Sequence, residues 1–160
     1  MALTSKQRIA AATALATAIA IPAEGLRQFA YFDPPGILTV CYGHTGADVQ
    51  KGRRYSLSEC DALLSEDMRK AMDYVNRCVP GLPVPILAAF GDATYNLGPV
   101  VSCDTRNSKA ARELRAGNYE AACNQLVRWD KARVLGVMIT LPGLTKRRTK
   151  ERDLCLTGLA

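Results

Sequence analysis

The chain has 160 residues, of which 48% are hydrophobic and 22% charged, and carries a formal net charge of +6. A chain of this length buries roughly 70% of its unfolded surface, so one domain with its own core is expected and wholesale disorder is excluded. The single histidine excludes a site built from several imidazoles, and the surplus of Lys and Arg favours a polyanionic partner such as nucleic acid, an anionic membrane surface or an acidic cell-wall polymer.

Lys6 and Arg8 open the chain, and Ile9 to Ala23 then carries no charge. This run is rich in Ala, weakly apolar, and shorter than the roughly 20 residues that a stable membrane span needs. Three readings stand side by side. It is a cleaved signal peptide with Ala18-Ile19-Ala20 as its cleavage site, an uncleaved signal-anchor held loosely by the membrane, or the first helix of the fold, Ala being the best helix former. Residues 1–23 thus form an export or anchor segment or a first helix, ahead of a domain over residues 24–160.

Ala30-Tyr31-Phe32 and Ile37 to Tyr42 read as short strands around the turn Asp33-Pro34-Pro35-Gly36. Gly46 to Tyr55 offers another turn and a third short strand. Ser56 and Glu59 have the spacing of a capping box. Leu57, Cys60, Leu64, Met68, Ala71, Val75 and Cys78 then recur along one face of a long helix that ends at Pro80-Gly81. Ile86 to Leu97 reads as a buried helix stopped by Gly98-Pro99, and Ser108 to Ala116 as a short helix closed by Gly117. Asn118 is expected to cap the next helix, which buries Ala122, Cys123 and Leu126. Pro142-Gly143 precedes a last helix through Leu156. Its Lys146, Arg147, Arg148, Lys150 and Arg152 read as a solvated face with Arg147–Glu151 pairing. The sum is an α+β domain, mostly helical, with a small antiparallel sheet near the N-terminus.

The six cysteines form no C-x-x-C pairs, which disfavours a structural zinc site. Their even count and wide spacing suit three disulfides in an oxidising compartment such as a bacterial periplasm; buried free thiols are the plainer alternative. There is no P-loop, G-x-G-x-x-G or G-x-S-x-G motif. Cys41 and His44 make a poor nucleophile–base pair, because strand neighbours rarely act together and Cys41 is more readily bridged.

Glu24, Asp33 and Thr39 are the informative constellation: two carboxylates and a hydroxyl at the edge of one cleft, the set that glycosidic hydrolysis requires. One carboxyl must hold a proton for the leaving oxygen while the other stays ionised. Glu24, at the end of an apolar helix, is the better acid because desolvation favours its neutral form; Asp33, in a wetter turn, is the better carboxylate. A surface Glu and an ordinary Asp-Pro turn are the bland alternative.

The spacing of Glu24, eight residues, Asp33, five residues and Thr39 resembles that of the phage-type lysozymes, glycoside hydrolase family 24. Glu24-Gly25-Leu26-Arg27, Asp33-Pro34-Pro35-Gly36, Thr39 to Gly46, Tyr95-Asn96-Leu97-Gly98, Arg128-Trp129 and Pro142-Gly143-Leu144 with Arg147-Arg148 resemble family segments in family order, from Glu24 to Leu156. The resemblance implies a two-lobed lysozyme fold and a muramidase that cuts the β-1,4 link between N-acetylmuramic acid and N-acetylglucosamine in peptidoglycan. It implies Glu24 as general acid, Asp33 as its carboxylate partner, Thr39 as holder of the attacking water, and inversion at the anomeric carbon. It places Thr45, Tyr95, Ser108 and Asn124 against the sugar chain, makes His44 structural, and calls for no metal or cofactor.

The chain also resembles exported endolysins with a signal-anchor-release segment, in which cysteines occur at the positions of Cys41, Cys60, Cys123 and Cys155. That likeness implies export to the host periplasm, transient inner-membrane association through residues 6–23, peptidoglycan as partner, no nucleic acid, and a monomer. Six cysteines allow 15 pairings, which spacing does not resolve; the expected bridges are Cys41–Cys60, Cys78–Cys103 and Cys123–Cys155. Two departures stand out. Pro35 is unusual in the catalytic turn and threatens to shift Asp33. Arg133 to Thr140 is longer and more apolar than the usual connection, as a lip on the cleft would be. The alternative class is a catalytically silent wall-binding or membrane-active module that acts through its cationic C-terminal helix.

Overall fold

The structure is a computed structural model that describes residues 1–160. Its elements in chain order are α1 (Ser5–Glu24), β1 (Arg27–Phe32), β2 (Leu38–Cys41), β3 (His44–Thr45), α2 (Leu57–Cys78), α3 (Val84–Leu97), α4 (Val100–Cys103), α5 (Lys109–Arg115), α6 (Tyr119–Gln125), a 3-10 turn (Leu126–Arg128), β4 (Lys131–Val134), β5 (Val137–Thr140) and α7 (Pro142–Thr157). The fold is α+β, mostly helical, with lobes on either side of α2.

Thr4 and Gln7 start α1 by a reciprocal cap: the Gln7 amide donates to the Thr4 hydroxyl, and the Thr4 amide to the Gln7 side chain. Ala12, Ala16 and Ala20 stand one turn apart and are fully buried. With no longer side chains on that stripe, α1 lies against both α2 and α3. Pro22 removes a backbone donor in the last turn, and the helix ends two residues later at Glu24. No helix is long and apolar enough to cross a membrane.

The small lobe is an antiparallel sheet in the order β1-β2-β3, in which Tyr31, Thr39 and Thr45 form one row across the strands. The third strand falls at His44–Thr45, earlier than the expected stretch from Gly46 to Tyr55. Gly43, at φ +84°, turns the chain back at once, and Arg54 alone bridges back to Phe29. Ser56 and Glu59 form the expected capping box on α2. The helix buries Cys60, Leu64, Met68, Ala71, Met72 and Val75 as it leads from the sheet into the helical lobe.

Helix α3 is the centre of that lobe, with every residue from Ile86 to Thr94 buried. A Cβ at Gly91 would collide with the Met72 side chain, so the glycine sets how closely α2 and α3 approach. Asn118 does not cap α6 as expected. It precedes the helix, but its side-chain amide donates to Glu113 Oε2 instead. Leu126 is buried, though from the 3-10 turn and not from α6. Helix α7 departs most from expectation. Arg147, Arg148 and Glu151 are buried, not solvated, because this helix packs on α3 through ion pairs instead of an apolar stripe.

Cys41–Cys60 joins β2 to α2, Cys78–Cys103 joins α2 to α4, and Cys123–Cys155 joins α6 to α7; no cysteine is free. Loops of this length give about 3–4 kcal/mol each in the chain-entropy account.

Candidate active site

Glu24 occupies the last turn of α1, and its Oε1 accepts a hydrogen bond from Arg147 Nη1 at 2.5 Å. Arg147 is held from behind by Asp92 of α3, with Nε donating to Oδ2 at 2.9 Å and Nη2 to Oδ1 at 2.7 Å. The arginine and Asp92 are buried, while the Glu24 side chain is 21% exposed and lines a cavity. Burial alone would loosen the proton on Arg147, but the two carboxylates outweigh it and hold the guanidinium charged. Next along α7, Arg148 donates to Asn96 and Glu151. Burial, reinforced by Asp92, pushes the Glu151 carboxyl well above the usual carboxylate range.

The other edge of Glu24 meets the β2–β3 turn. A Cβ at Gly43 would lie 3.6 Å from Glu24 Oε2 and 3.7 Å from the Tyr95 hydroxyl. A glycine there leaves the carboxylate open. Tyr95 donates to the Tyr42 carbonyl at 2.5 Å, and burial together with the Glu24 charge raises its phenol, so it stays a donor.

Asp33 is fixed by its own turn. The Ile37 amide donates to Oδ1 at 2.8 Å, and the Thr39 hydroxyl lies 3.3 Å from Oδ2. Backbone bonds from Gly36 to the Asp33 carbonyl and from Asp33 to the Ile37 carbonyl close the loop, so the turn accommodates Pro35 with its hydrogen bonds made. Thr39 also reaches the Ile37 carbonyl at 3.0 Å, sharing one proton between two acceptors and leaving its lone pairs unused.

The remaining candidates divide. Thr45 and Tyr95 line one cavity of about 360 Å³ together with Gly43, Asp67, Lys70 and Tyr74. Ser108 is buried, its hydroxyl donating to the Val101 carbonyl and accepting from the Ala111 amide as the cap of α5. Asn124 is exposed on α6, in a recess with Asn118 and Tyr119 that Glu24 does not line. His44 is buried between Asp67 (2.7 Å from Nδ1) and Asp48 (3.0 Å from Nε2), tying β3 to α2. A second cavity of about 590 Å³ opens on the far side of Glu24, between the end of α1 and the start of α7, where Arg147, Lys146 and Lys150 make it basic.

Sequence reasoning missed Arg147 and Asp92 as members of the site. One signal was present: Asp92 is the only charged residue in the run from Ile86 to Leu97, so it needed a buried cation.

The phage lysozyme family profile matches residues 22–151. The SAR-endolysin of Bacteriophage PS119 is 38% identical over 136 residues, covering 84% of this chain and 77% of the relative. Among solved structures, the muramidase domain of SpmX from Asticaccaulis excentricus superposes with a TM-score of 0.76 at 28% identity, covering 91% of this chain and 95% of that one. The active form of P1 phage endolysin Lyz gives 0.75 at 27% identity, covering 91% and 85%. The family match and these neighbours define a glycoside hydrolase of the lysozyme type. Within that class the chain belongs to the phage lysozyme family.

Proposed function

We propose that this chain is an endolysin, a muramidase that hydrolyses the β-1,4 bond between N-acetylmuramic acid and N-acetylglucosamine and so lyses the host bacterium. The observation that carries the reading is the pair of separately anchored carboxylates, Glu24 on the Arg147–Asp92 ladder and Asp33 bonded to Thr39. Glu24 gives its proton to the leaving oxygen as the glycosidic C–O bond breaks. Water held by Thr39 attacks the anomeric carbon from the opposite face, losing its proton to Asp33, with inversion. Thr45 and Tyr95 border the cavity that receives the sugar strand. The net charge of +6 favours residence on an acidic wall polymer.

Residues 6–23 tether the chain to the inner membrane after export and then pack into the fold as α1. The named SAR-endolysin relative supports this, as does the likeness to the active form of P1 endolysin, since α1 is packed with Glu24 in place here. The released enzyme acts as a monomer.

Turbidity loss of a peptidoglycan suspension, with wild type beside Glu24→Gln, tests the assignment. Glutamine keeps the shape and still accepts from Arg147, so folding is retained while rate falls by roughly a hundredfold or more. Activity within about threefold of wild type would remove Glu24 from the acid role.

A further inference from the structure

The β4–β5 hairpin is unaccounted for by the hydrolytic site. Seven of its eight strand residues are exposed, and its two strands pair with each other in a separate sheet. The register sorts its side chains by face. Ala132 lies opposite Ile139 and Val134 opposite Val137, giving one wholly apolar face. Lys131 lies opposite Thr140 and Arg133 opposite Met138, giving a cationic one.

The tip is Leu135-Gly136, with both residues at positive φ. Leu135 therefore occupies a left-handed position that favours Asn, Asp or Gly, and it is also 99% exposed. A leucine there is strained and leaves its whole side chain in water, so nothing within the chain rewards it. Arg133 reaches over the turn and donates to the Gly136 carbonyl at 2.8 Å, satisfying a backbone group at the tip while keeping its charge beside the apolar residues. Exposed Lys146 and Lys150 of α7 lie near the hairpin base, on the cavity that Leu141 also lines.

We infer that this hairpin is a membrane-contact element: its tip, Val134, Leu135 and Val137, enters the interface of an anionic phospholipid bilayer, while Lys131, Arg133, Lys146 and Lys150 meet the phosphates. The side chains favour lipid over a polysaccharide, because the tip is aliphatic and lacks the aromatic platforms and polar side chains that hold sugars. Both strand edges are open, so their backbone groups must stay hydrated and the insertion is shallow. The contact goes beyond the hydrolytic reading and is independent of α1, whose buried stripe is inside the fold. It keeps the released enzyme at a bilayer surface.

The test is co-sedimentation of the full-length oxidised protein with phosphatidylglycerol-containing vesicles and with phosphatidylcholine vesicles, for wild type, Leu135→Asp and the pair Lys131→Gln/Arg133→Gln. Wild type should pellet with the anionic vesicles. Leu135→Asp should partition at least about tenfold more weakly, since the leucine that enters the lipid is exchanged for a charge. The glutamine pair should lose the preference for anionic lipid. Leu135→Asp should keep wild-type hydrolysis of purified peptidoglycan and should not lower thermal stability, because the hairpin tip touches neither the core nor Glu24 and the left-handed position favours Asp. Unchanged vesicle binding by Leu135→Asp would place any contact on α1 and overturn the inference. A concentration-dependent dimer lost in Leu135→Asp would make the face a self-interface, and loss of activity on purified peptidoglycan would make the hairpin a lip of the cleft. A wild type that binds vesicles but leaves peptidoglycan intact would sink the muramidase reading alone.

Discussion

Removing Arg147 strands Asp92, a carboxylate with no exposed surface, and frees Glu24 at the same time. Arg147→Met should therefore lower unfolding free energy by about 3–5 kcal/mol in a denaturant titration. Arg147→Lys should fall between, as it keeps the charge and loses the two-pronged contact with Asp92. Gly43→Ala tests the other side of Glu24. The left-handed backbone costs about 1–2 kcal/mol. The added methyl sits against the carboxylate, so peptidoglycan hydrolysis should drop by more than the lost stability explains. His44 sets a pH dependence. Burial alone would lower its pKa, but Asp67 and Asp48 outweigh burial and raise it. Its stabilisation is thus complete below the unfolded value of about 6.5 and is lost as pH rises through the raised folded value. Asp48, lowered by the same contact, adds stability above its unfolded value that disappears as pH falls. The melting temperature of wild type should decline from neutral toward alkaline pH, by about 2–4 °C per kcal/mol lost, and His44→Gln should flatten that decline.

Among the elements, α1 has two demands on one set of alanines. Ala12, Ala16 and Ala20 are small enough to let α2 and α3 approach, and they also keep the segment weakly apolar. Ala16→Leu should cost the packed state about 1–3 kcal/mol by overfilling a site with no free surface. In a cell it should also strengthen the membrane hold, so the soluble fraction falls on both counts; fractionation and melting of the purified protein separate the two. Legibility follows the same physics. The α2 stripe and its Ser56–Glu59 cap were readable because local periodicity and capping specify them, as was the apolar run of α3. The β4–β5 hairpin was not, since its Leu135-Gly136 turn lacks the usual Asn or Asp signal and its apolar residues face outward. The burial of α7 was also hidden. Arg147 looks like a solvent residue until Asp92, 55 positions away, is seen beside it. Glu24, Asp33 and Thr39 stood out by spacing, whereas Ser108 had the composition of a contact and the geometry of a cap.

For the whole molecule, three bridges stitch lobe to lobe and helix to helix. Replacing Cys78 and Cys103 by alanine should lower unfolding free energy by about 3 kcal/mol yet spare hydrolysis, because that bridge lies between α2 and α4 and touches neither carboxylate. Unfolding in denaturant beside a turbidity assay checks both halves. The Glu24–Arg147 contact spans 123 positions of sequence, and a pairing between such distant partners forms only after the intervening chain has been gathered in. During synthesis Glu24 emerges early and waits without its anchor until nearly the whole polypeptide has followed. A fragment broken off anywhere ahead of Arg147, by a stalled ribosome or a protease, carries Glu24 but not the arginine that holds it. The packed form of this end of α1 therefore arrives late and all at once, and a truncated chain displays Glu24 with no partner on α7.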